Sequence, residues 1–362
     1  MLYSLLALAQ ETTPEARSAL MQKTAEVFLR GVGTHTPGEL ALFSDILLQL
    51  VDQTDDRSRA ALSRALAGCA ETPSPLALRL AADVFAVARP ILERSKALGA
   101  QDIIELARRL DDEHLAALAG RQDLPSRAAD ALVRRGSSRV HRKVACNRHV
   151  HLSDWALRSL AERALKDAVL KEDLSTRKDL TPAICTFLIP HVSPATRERL
   201  QAVAQGTISA EELDGIARRR ALRRALGIRL DTFDVPKLWR IVETEFATLD
   251  DLLILLLEDD RLGIAAELMS HGSRDNRQKL REAVLSGDVE HVIAAARRAN
   301  LSQLTFEHLA RARCRYLRIP EAQAEAVIRR YRPDGSSPLD DKRRASGFAA
   351  RRSTGHRTAR PA

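Results

Sequence analysis

Apolar side chains recur three and four positions apart through most of this chain, the spacing that lays a stripe along one face of an α-helix. Leu40, Phe43, Ile46, Leu47 and Leu50 follow it, as do Ile103, Leu106, Ala107 and Leu110. No segment alternates apolar and polar residues over a strand's length, so the pattern predicts an all-α protein. Helix starts are signalled by a hydroxyl residue followed by proline, at Thr13-Pro14, Thr36-Pro37, Ser74-Pro75, Thr181-Pro182 and Ser193-Pro194. The hydroxyl oxygen caps exposed N–H groups, and proline's fixed φ suits the first helical turn. Thr36 with Glu39, and Ser209 with Glu212, add the spacing of a capping box. The run Leu252 to Leu257, flanked by acidic residues, predicts a buried core helix. Pro90 falls inside the helical pattern of residues 83–95 and predicts a kink or a split there.

Sliding the chain against itself by 28 residues exposes an internal repeat. Leu124, Leu152 and Leu180 coincide, and Pro125, Ser153 and Thr181 follow as helix-start residues. Ala128, Ala156 and Ile184 fall together, and Leu132, Leu160 and Leu188 close the helix. Three copies result, 121–148, 149–176 and 177–204, each read as a turn and then a helix. The second, from Ser153 to Leu170, reads as a longer or twinned segment. One helix cannot bury its own stripe, so neighbours must stack, which predicts an irregular α-solenoid. Four regions are expected: N-terminal helical repeats over 1–100, repeats including the three copies over 101–204, a helical C-terminal region over 205–331 that leaves the register, and a disordered basic tail over 332–362.

Composition agrees with packed helices. Hydrophobic residues are 45% and aromatic residues only 4%, which disfavours strands and excludes collagen-like and wholly disordered chains. The net charge of +9 raises nucleic acid or anionic lipid as partners. The tail from Arg332 to Ala362 holds eight of the basic residues against three Asp, so the rest of the chain has an ordinary balance. Cys69, Cys146, Cys185 and Cys314 are scattered with no metal or disulfide spacing. The apolar opening is too short for a signal peptide or a membrane span. A reducing cytoplasm is the expected location, with no membrane partner.

The stretches ELALFSDILLQL (39–50), RAALSRALAG (59–68), LALRLAADVFAVARPILERSKALGAQDIIELARR (76–109) and LAGRQDLPSRAADALVRRGSSRVHRKVACNRHVHLS (118–153) resemble the bacterial family catalogued as domain of unknown function 2336. The resemblance runs over roughly residues 15–205, and residues 285–313 are similar to the family's later part. It implies an α-helical fold of HEAT-like or variant repeats in a cytoplasmic bacterial protein, and it carries no catalytic pattern.

His141, Cys146, His149 and His151 are the most tempting chemistry, four potential zinc ligands within eleven residues. The repeat register sets His149 against Arg121 and Arg177, and His151 against Asp123 and Asp179. Both therefore read as ordinary turn residues, with Cys146 packed on the preceding helix and no metal bound. The acidic pairs Asp111 with Asp112 and Asp250 with Asp251 sit at helix starts, where the dipole favours carboxylates. No GxSxG elbow and no GxxxxGK or GxGxxG loop is present, so neither an enzyme nor a cofactor is expected. Trp155 and Trp239 fit apolar stripes and read as core.

Basic clusters are the better lead. Arg218, Arg219, Arg220, Arg223, Arg224 and Arg229 lie within twelve residues, with Arg220, Arg223 and Arg224 on one helical face. Arg311, Arg313, Arg315 and Arg318 form a second cluster near Tyr316. The bland reading of the first cluster is a solvated or internally paired face; the partners it would suit are acidic protein or nucleic-acid phosphates. The favoured reading of the chain is a non-enzymatic helical-repeat scaffold or adaptor for a protein partner, with Arg218, Arg219, Arg220, Arg223 and Arg224 as candidate contacts. The alternative is a nucleic-acid-associated protein that uses its Arg-rich faces and tail.

Overall fold

A computed structural model describes residues 8–227, 230, 234–286 and 288–331. The basic tail, Arg229 and the first seven residues therefore lie outside the described residues. Everything regular among the described residues is helical, and none of it is strand. The chain divides into two compact units, one ending at Leu213 and the other beginning at Asp214.

The caps foreseen from hydroxyl–proline pairs set the local structure. Thr13 caps α1 (Pro14–Arg30), and Thr36 caps α2 (Pro37–Val51) with Glu39 completing the box. Asp55 caps α3 (Asp56–Leu66). In α4 (Ser74–Ala81) the cap position falls on Pro73 instead of Ser74, which shifts the start by one residue. The next helix, α5 (Phe85–Arg94), runs unbroken through Pro90, so the expected split does not occur. After α6 (Ala100–Arg109) and α7 (Asp112–Leu118, capped by Asp111) come α8 (Ser126–Arg135) and α9 (Ser138–Cys146). Then follow α10 (Asp154–Ala164), α11 (Ala168–Leu174), α12 (Pro182–Leu188) with a 3₁₀ turn at Ile189–His191, and α13 (Pro194–Ala204).

Packing in this first unit is regular: helices pack against those two positions away. One row runs α1, α3, α5, α7, α9, α11, and the other links α6, α8, α10 and α12, with α2 against α4. A single apolar core follows both rows from Leu20 to Leu200. The 28-residue register holds in space. Pro125, Ser153 and Thr181 occupy equivalent cap positions. The three leucine and alanine/isoleucine columns are buried in every copy, each fully buried leucine contributing roughly 1.5–3 kcal/mol. Each copy holds two helices, pairing α8 with α9, α10 with α11 and α12 with α13. The second copy is twinned, one of the two forms expected of it, and α13 starts at the expected Ser193-Pro194, while the first copy holds two helices where the pattern suggested one.

The second unit contains most of α14 (Ala210–Leu226), then α15 (Val235–Glu243), α16 (Leu249–Glu258), α17 (Leu262–Ser273), α18 (Arg277–Ser286), α19 (Val289–Arg298), α20 (Gln303–Leu317) and α21 (Glu321–Arg330). Its core centres on α16, where every residue from Asp251 to Leu257 is buried. Tyr331 closes the core: its ring stacks on Phe306 at 3.9 Å and its hydroxyl donates to the Leu301 carbonyl at 2.6 Å. No helix among the described residues is long and apolar enough to cross a membrane.

Candidate functional site

An α-helix leaves its last carbonyls without partners, and a buried stack must supply donors for them. In the first unit this is done by arginine. Arg121, only 1% exposed, sends its guanidinium to the end of α5, donating to the carbonyls of Leu92 at 2.9 Å and Ser95 at 2.8 Å. Its remaining N–H groups fork onto Asp123 at 2.8 and 2.9 Å. Two copies later, Arg177, 3% exposed, repeats the arrangement at the end of α9. It donates to Asn147 O at 2.7 Å and Val150 O at 2.8 Å, with further bonds to Val144 O and Ala145 O, and forks onto Asp179. Burial alone would raise the Asp179 carboxyl, but the Arg177 hydrogen bonds and charge, with the Leu152 N–H, hold it below its ordinary value. Deleting such an arginine would strand several carbonyls and a carboxylate, at a cost of about 3–5 kcal/mol.

The middle copy breaks the column. His149 and His151 stand where the flanking copies have Arg and Asp, and neither reaches a helix end. The carbonyls after α7 are served instead by the Asn147 amide, which donates to Ala119 O at 2.9 Å and Arg121 O at 2.7 Å. His149 is exposed, and His151 is 84% exposed with its Nδ1 3.8 Å from Asp179. A cavity of about 230 Å³ opens at this joint. The turn Arg148 to His151 forms one side, and Arg177, Lys178 and Asp179 form the other. Arg148 is tied across the joint by a 2.6 Å bond from Nη1 to the Thr176 carbonyl.

The four residues that suggested zinc are dispersed. His141 is buried, its Nε2 donating to Val133 O at 3.0 Å, and Cys146 is exposed at the end of α9 rather than packed inward. No group of three or more potential metal ligands forms among the described residues. Trp155 also departs from expectation. It is 43% exposed at the start of α10, with the Arg134 guanidinium 4.7 Å above its ring. The buried stripe of α10 is complete without it, through Ala156, Leu157, Leu160, Ala161 and Ala164. Trp239 is partly buried and stacks on His271.

The arginines of α14 face α16. Arg218 Nε lies 2.8 Å and Arg219 Nη1 3.4 Å from the buried Asp251 carboxylate. Arg223 pairs with Asp259 at 2.7 Å and with Glu258 at 3.5 Å. Arg220 is half-buried and Arg224 exposed on the same helix. In the second cluster, Arg313 is buried and donates to the Val284 and Ala283 carbonyls at the end of α18, the same duty as Arg121 and Arg177. Arg315 lies 3.6 Å from Asp260, while Tyr316 is exposed.

A family described as "Uncharacterised protein conserved in bacteria (DUF2336)" matches residues 87–335, well over half of the sequence. The chain belongs to the DUF2336 family. The matched segment starts later than the 15–205 read from sequence resemblance and extends much further, and it holds all three 28-residue copies and the described residues of the second unit. No curated protein and no solved structure matches the chain. The cavity at the middle copy thus lies within the DUF2336 segment. Sequence reasoning placed His149 and His151 in a turn but missed the opening, which Lys178 helps to line. The signal was present as the one break in the Arg-x-Asp column.

Proposed function

We propose that this DUF2336 protein is a non-enzymatic, cytoplasmic scaffold or adaptor whose first unit is a HEAT-like α-solenoid docking a protein partner. The packing of helices in two rows, each against the one two positions away, supports the solenoid reading. The observation that carries the docking reading is the exposed Trp155 with Arg134 stacked on it. Burying a tryptophan is strongly favourable, and α10 leaves this ring in water although its own stripe does not need it. Trp and Arg are, with Tyr, the side chains enriched where partner binding concentrates: the indole offers a large rigid face at small entropic cost, and the guanidinium a planar fork of donors.

The test is affinity purification of the full-length protein and its Trp155→Ala variant, with and without nuclease and at two salt concentrations. A partner retained after nuclease and lost from Trp155→Ala supports the reading. Recovery of the same proteins by both forms sinks it. Nuclease-sensitive capture with steep salt dependence would favour nucleic acid, with the α14 arginines as its contacts.

A further inference from the structure

We infer that the cavity between the turn at 148–151 and the turn at 177–179 binds a compact oxyanion, a phosphoryl group. Charge at the opening favours an anion. Among the residues lining the cavity the one acid is Asp179, and Arg177 already forks onto it. That pair is close to neutral. Lys178 then adds a positive charge to the joint, exposed and with no ion-pair partner among the described residues. The two imidazoles at the same opening add N–H donors.

Size points the same way. Water occupies about 30 Å³ in the liquid, so 230 Å³ takes a group of several heavy atoms together with some of its hydration. A phosphoryl group offers three acceptor oxygens and a charge near −2 at neutral pH, which suits a ring of cationic and imidazole donors better than a single carboxylate does.

The repeat sets this joint apart from its neighbours. Where Arg121 and Arg177 fill this position they are buried and fully engaged, and nothing remains to meet a ligand. At the middle copy Asn147 has taken over the helix-end carbonyls, so His149 is released from structural duty and its ring has no hydrogen bond among the described residues. Substituting it removes no packing. The inference does not rest on the partner-docking reading, which turns on Trp155.

The experiment is isothermal titration calorimetry of the full-length protein with inorganic phosphate at fixed ionic strength, alongside acetate and a phosphoserine peptide. The variants are Lys178→Ala, His149→Ala and, as a control cation in the second unit, Lys279→Ala. Phosphate is expected to bind at one site, acetate at least tenfold more weakly. Lys178→Ala and His149→Ala are each expected to weaken phosphate about tenfold, Lys279→Ala and Trp155→Ala not at all, with melting temperatures unchanged. Histidine side-chain resonances that move on titration would be those of His149 and His151. Phosphopeptide binding tighter than inorganic phosphate assigns the group to a peptide, and equal affinity assigns it to a small phosphorylated ligand. Absence of binding at about 10 mM phosphate, acetate binding as well as phosphate, or equal weakening by Lys279→Ala would overturn the proposal.

Discussion

A buried histidine shows how one side chain can set the acid limit of this protein. His141 sits inside the first unit with Nε2 on the Val133 carbonyl, and burial pulls its pKa below 6.5, partly offset by that hydrogen bond. His308 in the second unit is lowered in the same way, chiefly by burial. Both groups bind a proton more readily when unfolded. As pH falls through about 6.5 the unfolded chain is protonated first, so stability is present above that pH and drains away below it. Asp83, Asp167 and Asp179 do not contribute in this window, because each is held below 3.8. The melting temperature should therefore fall between pH 7 and 5, and the double variant His141→Gln/His308→Gln should flatten that fall. An unchanged slope in the variant would mean that other groups set the acid limit.

At this scale the register was more informative than the stripe. Trp155 fits an apolar spacing, yet its register partners are Arg127 and Ala183, and both are exposed. Cys146 warns against trusting the register everywhere, because its partners Leu118 and Leu174 are buried while it is exposed. It is the last residue of α9, where the helix is already leaving the core.

Among the elements, the hairpin between α8 and α9 is a tight joint. The two helices are separated by Gly136 and Ser137 alone. A Cβ on Gly136 would lie 2.5 Å from Val140 Cβ and Cγ1 and 2.7 Å from the Leu132 carbonyl. Its backbone is extended with φ −73°, so close approach and not handedness demands glycine here. Val140 is buried and branched at Cβ, which leaves it little room to yield. Gly136→Ala should cost about 1–3 kcal/mol by overpacking, measured by urea unfolding; a neutral or stabilised variant would show that the turn has slack.

The second helices of the copies carry faint stripes for a physical reason, and α9 went unread, although a twinned segment was expected before α12 and a helix start at Ser193-Pro194. In α9 three of nine residues are Lys or Arg, α11 has seven residues, and α13 buries only Thr196 and Leu200. Helices this short, or with so few buried apolar positions, give a period of 3.6 too few repeats to stand out. Pro90 was legible as a disturbance but not in its outcome, since tertiary packing around the buried Val87, Ile91 and Leu92 holds α5 together across it.

For the molecule as a whole, the all-helical class and the family were legible in the chain, because stripes, caps and a fixed repeat all point the same way. The arrangement of α14 on α16 was not: Arg218, Arg219 and Arg223 meet Asp251 and Asp259 across more than thirty residues, and no local pattern announces such pairs. In a stack whose helices pack on near neighbours, stability is a sum of local interfaces. Leu160→Ala, in the centre of α10, should cost about 2–5 kcal/mol. Amide hydrogen exchange should accelerate most in α8, α10, α11 and α12, which pack against or include the site, and least in α1 and α2. Uniform acceleration across the first unit would show instead that it melts as one block.

The broken column at 149 and 151 has a meaning in the language of codons. Arginine and histidine can differ by one base, and so can aspartate and histidine. The middle copy therefore stands two base changes from the Arg-x-Asp clip of its neighbours. A chain that repeats one latch several times can open a single joint by such small steps while the other latches keep the stack closed.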